Sequence, residues 1–229
     1  MRLGIMQPYF FPYIGYFQLI NAVDKFVIYD DVNFIKGGWI NRNRILLNDA
    51  AFMVNIPMIG ASSFKRINEI YIGKNKEKIL STIQQAYKKA PYYNIIYPLM
   101  SEIITHDNDN LALFITNSII KVSEYLQINT EIILSSDIKK NNELKAQEKV
   151  MAICKELGAT LYLNAIGGQE LYSKDKFAEN GMTLNFIKTR PIIYSQYKNQ
   201  FIPWLSIIDV LMFNSPDVIH KMLYNYDLI

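Results

Sequence analysis

Apolar positions follow two periods along this chain, and the alternation between them predicts an α/β fold. Leu3–Met6 is a short apolar run that stops at Gln7-Pro8 and reads as a buried first strand. Tyr13, Phe17, Ile20 and Val23 then recur at helical spacing. Lys25–Asp30 is a second β-like run that closes on Asp30 and Asp31. Strand, loop, helix and strand in so short a span make a βαβ unit, hence a parallel pair with a right-handed crossover. Arg44–Leu47 and Phe52–Ile56 flank Asn48-Asp49 as a hairpin, and Ile67–Ile72 is a possible further strand.

The middle third turns helical. Helices are expected over Lys76–Lys89 (stopped by Pro91), Ile95–Thr105 and the strongly periodic Leu111–Leu126. Further strands are expected at Glu131–Leu134, Thr160–Leu163, Thr183–Ile187 and Ile192–Tyr194. Helices are expected at Glu143–Leu157, closed by Gly158, and at Leu205–Phe213 and Val218–Tyr224. The expectation is a single α/β domain over 1–229: an N-terminal βαβ parallel sheet with a helical layer from the middle third, at about 74–127. In such a sheet ligands sit beyond the carboxyl ends of the strands.

Composition narrows the chemistry. With 24 Lys and Arg against 21 Asp and Glu, the net charge of +3 gives no case for nucleic acid as partner. One cysteine, Cys154, allows no internal disulfide and no cysteine cluster, and two histidines, His106 and His220, exclude a three-histidine zinc site. No metal site is therefore expected, and no motif names a cofactor. Cys154 lies among apolar neighbours in an expected helix and reads as core. No run is long enough to span a membrane, and Pro8 and Pro12 interrupt what could otherwise be a secretory signal, so a cytoplasmic protein is expected.

Five segments carry candidate chemistry. Gln7–Tyr16 puts Tyr9, Tyr13 and backbone N–H groups at a strand end, with two prolines to stiffen the loop and Gly15 to remove bulk at the helix start. Its Tyr13-Ile14-Gly15-Tyr16 frame is similar in spacing to the HxGH turn of nucleotidyltransferases. Tyrosines replace both histidines, and a tyrosine supplies no positive charge to a phosphoryl transition state.

Asp30–Arg44 is the densest polar cluster. If Asn41–Arg44 is extended, Asn41 and Asn43 share one face, suited to sugar hydroxyls, and Arg42 and Arg44 the other, suited to phosphate. Lys36 adds charge, Trp39 a stacking surface, and Asp30 or Asp31 a general base. Asp30 and Asp31 are adjacent, so they do not form a DxD metal motif of glycosyltransferase type, a reading ranked below acyl transfer. Tyr87 closes a helix beside Lys88-Lys89, Gly167-Gly168 follows a strand, and Gln196 sits at an expected strand end. Ser206 and Asp209 have the spacing of a helix N-cap and its N3 residue, a structural role.

Taken in order, QPYFFPYIGYFQLI, DKFVIYDDVNFIKGGWINRNRI, AYKKAPYY, IGGQELY and YSQYKNQFIPWLSIIDVL resemble the WbqC-like family of bacterial proteins over nearly the whole chain. The resemblance implies a role in O-antigen (lipopolysaccharide) or other surface-polysaccharide biosynthesis. Combined with the residues, it suggests a transferase placing an acyl or aminoacyl group on the amine of a nucleotide- or carrier-linked amino sugar. Its partners would be that sugar and an acyl donor. A non-catalytic nucleotide-sugar binding module, or a glycosyltransferase-like enzyme, is the alternative.

Overall fold

The computed structural model describes residues 1–197 and 200–229; Lys198 and Asn199, within the last of the quoted stretches, lie outside the described residues. Among the described residues a six-stranded sheet forms the centre. β1 (Arg2–Met6) pairs in parallel with β2 (Lys25–Ile28) across helix α1 (Ile14–Asn21), as the sequence pattern predicts.

A hairpin follows, β3 (Arg42–Leu47) and β4 (Ala50–Asn55). Asn48 and Asp49 turn it with φ of 49° and 60°, the left-handed pair that two-residue hairpins require. The stretch expected as one strand over Ile67–Ile72 splits in two. A helical turn at Ile67–Glu69 precedes β6 (Tyr71–Ile72), which pairs with β5 (Met58–Ile59).

Helices α2 (Lys78–Tyr87), α3 (Tyr93–Thr105) and α4 (Leu111–Tyr125) come next. β7 (Glu131–Leu134) then joins β2 in parallel, and α5 (Ala146–Glu156) carries the chain to β8 (Leu161–Ala165), which lies on the opposite side of β1. α6 (Lys174–Glu179) leads to β9 (Thr183–Thr189), parallel to β8. Helices α7 (Ile207–Phe213) and α8 (Pro216–Leu223) precede β10 (Tyr226–Leu228), antiparallel at the edge. The strand order is β10-β9-β8-β1-β2-β7.

One expected strand is absent: Ile192–Tyr194 has no strand partner. The edge of β9 that it would have taken is filled by β10, whose Tyr226, Asp227 and Leu228 pair with Thr189, Lys188 and Ile187. Pro191 turns the chain away just after β9, and the Arg190–Asp227 ion pair at 2.5 Å fastens the replacement.

Helices cover both faces of the sheet. On one, Phe17 and Ile20 of α1 pack with Phe26, Leu163, Ile187 and the helical layer. On the other, Leu3, Ile5, Tyr162 and Phe186 pack with Ile153 and Cys154 of α5 and Phe177 of α6. Each such fully buried side chain contributes about 1.5–3 kcal/mol. Cys154 is part of this second layer; burial pushes its thiol up to about 12, so it stays a protonated, unreactive packing group. Chain order diverges on the two sides of β1. The crevice outside the carboxyl ends of β1 and β8 is therefore the topological switch point at which this class of sheet binds ligands.

Candidate functional site

A cavity of about 360 Å³ opens at that switch point. Its floor is Met6 at the end of β1, Ala165 to Gly167 after β8, and Ile187 and Thr189 of β9. Its walls are Tyr9, Tyr13 and Tyr16 from the loop and first turn after β1, Trp39 and Arg44 from the segment entering β3, and Trp204 from the loop before α7. The chain contains two tryptophans, and both are here.

The loop after β1 is shaped from outside itself. Asn43 of β3 is buried and donates from Nδ2 to the carbonyls of Phe10 and Phe11, at 3.1 and 2.9 Å. Ser206, the N-cap of α7, donates its hydroxyl to the Phe11 carbonyl at 2.7 Å, while its backbone N–H binds the Arg44 carbonyl at 2.8 Å. These bonds hold Phe11 at φ 40°, a left-handed conformation costly for a phenylalanine. Trp204 is held likewise at φ 62°, its carbonyl accepting from Arg44 Nη2 at 3.3 Å. β3 and α7 thus clamp the loop after β1 and the Trp204 wall.

Tyr13 lies across the start of α1. Its hydroxyl donates to Thr189 at 2.6 Å, Thr189 donates to Gln18 at 2.6 Å, and the Gln18 amide reaches the Met222 carbonyl at 2.7 Å. The Tyr13 ring meets Trp204 edge-on, centroids 5.4 Å apart. Gly15 makes this placement possible, because a β-carbon there would collide with the Tyr13 hydroxyl. Gly15→Ala is therefore expected to push the phenol off Thr189 and cost about 1–3 kcal/mol. Thermal unfolding together with a shift in tryptophan emission checks it.

The electrostatics are one-sided. Burial raises the pKa of Tyr9, Tyr13 and Tyr16, for Tyr13 against the lowering effect of its bond with Thr189, so all three remain neutral phenols. Arg44 supplies the positive charge. Its guanidinium carbon sits 5.6 Å from the Trp39 ring centroid, and its Nε is buried with no protein partner among the described residues. That unpartnered donor beside the cavity is where an anionic ligand group gains most. No carboxylate, histidine or cysteine is found among the described residues that line the cavity.

A second chamber of about 510 Å³ adjoins the first behind the Tyr13–Trp204 ring contact. Its walls are mostly apolar, including Ile193, Tyr194, Phe201 and Leu205, with Lys188 and Arg190 at the edge.

Of the residues singled out in the sequence, Tyr9, Tyr13, Gly15, Trp39, Asn43 and Arg44 converge on the cavity. Lys36, Asn41 and Arg42 gather at a separate shallow hollow, where Arg42 binds the carbonyls of Gly37 and Gly38. Gln7 borders neither; its backbone carbonyl accepts from the Tyr16 hydroxyl at 2.9 Å.

Tyr87 and Gln196 are buried around Asp209. The Tyr87 hydroxyl donates to Asp209 Oδ2 at 2.9 Å, and the Gln196 amide and Tyr194 hydroxyl donate to Oδ1 at 2.7 and 2.6 Å. Asp30 is buried too, accepting from Asn68 Nδ2 at 3.1 Å and the Ser136 N–H at 2.9 Å, and so ties the end of β2 to two other segments. Asp31 pairs with Lys140 and Lys149 at 2.9 and 3.0 Å, all three side chains almost wholly buried.

Sequence reasoning gave no site role to Tyr16, Thr189 or Trp204. Tyr16 and Trp204 lay in segments already suspect for their aromatics, whereas a lone threonine at a strand end carries no signal. Among the described residues no cluster of three or more His, Cys, Asp or Glu side chains is placed to hold a metal ion, and no helix is long and apolar enough to cross a membrane.

Fold and site together define a doubly wound α/β protein with an aromatic-walled cavity at its switch point. The chain belongs to the WbqC-like protein family, whose model matches residues 7–221. It is 27% identical over 215 residues to "Uncharacterized protein Rv1507c" of Mycobacterium tuberculosis (strain ATCC 25618 / H37Rv), a match covering 92% of each chain. No solved structure matches it.

Proposed function

We propose that this protein acts in bacterial surface-polysaccharide (O-antigen) biosynthesis and binds a nucleotide- or carrier-linked amino sugar in the aromatic cavity. There it transfers an acyl or aminoacyl group to the sugar amine. The observation that carries the reading is the pair of chambers sharing the Tyr13–Trp204 partition. One is aromatic with a cation at its wall, and the other is apolar. Tyr9, Tyr13 and Trp39 stack on the sugar or base, Arg44 meets phosphate, and the apolar chamber receives the acyl part of the donor. The amine nitrogen bonds to the acyl carbon, the bond from that carbon to the donor's leaving group breaks, and the amine proton leaves with that group or to water.

Neither Asp30 nor Asp31 borders a chamber, so on this reading the protein contributes proximity and orientation rather than a base. The lining's lack of an acid–base side chain supports, as a second reading, a module that binds the same ligand without turnover.

Because both tryptophans wall the cavity, their fluorescence reports on it directly. Titration with a nucleotide-linked amino sugar is expected to give a saturable change, weakened about ten-fold in Arg44→Gln. Absence of any change with nucleotide-linked sugars would remove the reading. Adding an acyl thioester and weighing the sugar product separates transfer from binding alone.

A further inference from the structure

Two loops outside the cavity lining meet in a short bridge. Asn33 bridges Arg66 in antiparallel fashion, and the Phe34 N–H binds the Lys65 carbonyl at 2.9 Å. Ile35 and Phe64 lie one residue beyond that hydrogen bond on the two segments, Phe64 within the Ser62–Lys65 turn. Phe64 is 93% exposed and Ile35 53%, so two large apolar side chains on the bridged segments stand in water. The buried Phe34 anchors the bridge to the core.

Charge is skewed in the same place. From Val32 to Asn68 the chain carries Lys36, Arg42, Arg44, Lys65 and Arg66, while the single acidic residue in that span, Asp49, belongs to the β3–β4 turn. Lys36 and Lys65 are exposed and make no ion pair among the described residues. Glu69, just beyond, is engaged by the Arg66 N–H at 2.8 Å.

Exposed Phe64 and Ile35 are flanked in sequence by the cations Lys65, Arg66 and Lys36. This combination matches the layered chemistry of a bilayer interface, with acyl chains below and anionic headgroups around. We infer that these bridged loops dock the protein on a membrane surface bearing anionic lipids, Phe64 and Ile35 entering the headgroup boundary while Lys36, Lys65 and Arg66 meet the phosphates. This inference is independent of what the cavity binds.

Co-sedimentation of the full chain with vesicles tests it, comparing phosphatidylcholine alone with phosphatidylcholine mixed with phosphatidylglycerol. Binding is expected only to the mixed vesicles and should fall as salt rises. Lys65→Ser should weaken it about five-fold and Phe64→Ser about ten-fold. Because both side chains are exposed, the unfolding midpoint should not move in either variant. No sedimentation with either vesicle, equal sedimentation with both, or parental binding by Phe64→Ser would overturn the inference.

Discussion

Replacing Asp31 with Asn is expected to destabilise the protein by about 3–5 kcal/mol, more than any removal of one of its partners. The carboxylate lies between Lys140 and Lys149, at 2.9 and 3.0 Å, in a place where all three side chains are nearly inaccessible. Lys149 also donates to the Asp31 carbonyl at 3.0 Å, and Lys140 to that of Ser135. Two buried ammonium groups share one buried carboxylate, so the three members are not equivalent. Lys149→Met leaves a balanced pair and is expected to cost less than half as much. Asp31→Asn leaves two like charges facing each other without compensation. Urea unfolding of the parent and both variants decides the order; equal losses would refute this account of the cluster.

The same cluster sets an acid limit. Burial works to raise the Asp31 pKa, but Ser135, Lys140 and Lys149 more than offset it and hold the carboxyl below its ordinary range. A depressed folded-state value means the contribution is complete above the unfolded value, about 3.9, and is lost as pH falls through the lower folded one. The gap between parent and Asp31→Asn should therefore shrink in strong acid.

Asp209→Leu is expected to cost a similar amount, about 3–5 kcal/mol, and its pH dependence has the opposite sign. Three donors from two segments converge on this carboxylate: Tyr87 at the end of α2, and Tyr194 and Gln196 in the stretch after β9. The Tyr87 hydroxyl in turn accepts the Leu46 N–H of β3 at 2.9 Å. Leucine fills the volume but strands every donor. Asp209→Asn keeps one acceptor oxygen and should lose only about 1–2 kcal/mol. Burial raises the Asp209 pKa, against the lowering effect of its three donors. A raised folded-state value makes the group's contribution largest below the unfolded pKa and smaller as pH rises through the folded one. The gap between parent and Asp209→Asn should thus narrow as pH rises above the unfolded value, about 3.9, where the Asp31 gap is already complete. Thermal melts from strong acid to neutral pH check both signs.

The contrast between these two aspartates shows how far residues in order can be read. Asp30-Asp31 after an apolar run looks like a pair of free carboxylates at a strand end, because the lysines that claim Asp31 arrive more than a hundred residues later. Tyr87 and Gln196 looked like separate candidates for the same reason: neither local pattern reveals that Asp209 draws both inward. The βαβ unit, the Asn48-Asp49 hairpin and the periodic helix at Leu111–Tyr125 were legible, since each depends on local periodicity or turn chemistry. β10 was not, being three residues long and specified by the free edge of β9. The cavity was legible in part. Tyr9, Tyr13 and Gly15 follow β1, and Trp39, Asn43 and Arg44 enter β3, so each cluster was already dense in sequence.

The strained backbones of Phe11, in the loop after β1, and of the cavity wall Trp204 have a consequence for how the site comes into being. Phe11 and Trp204 keep their left-handed backbones through contacts with β3 and α7, elements about 160 residues apart in the chain. A nascent chain that has made β1, α1 and β2 has the tyrosines of the site but nothing to bend them into place. The binding surface is therefore a late product of high contact order and exists only when the whole chain has closed on itself. A ligand that fits it selects the finished fold over every intermediate and acts as a folding checkpoint as well as a cargo.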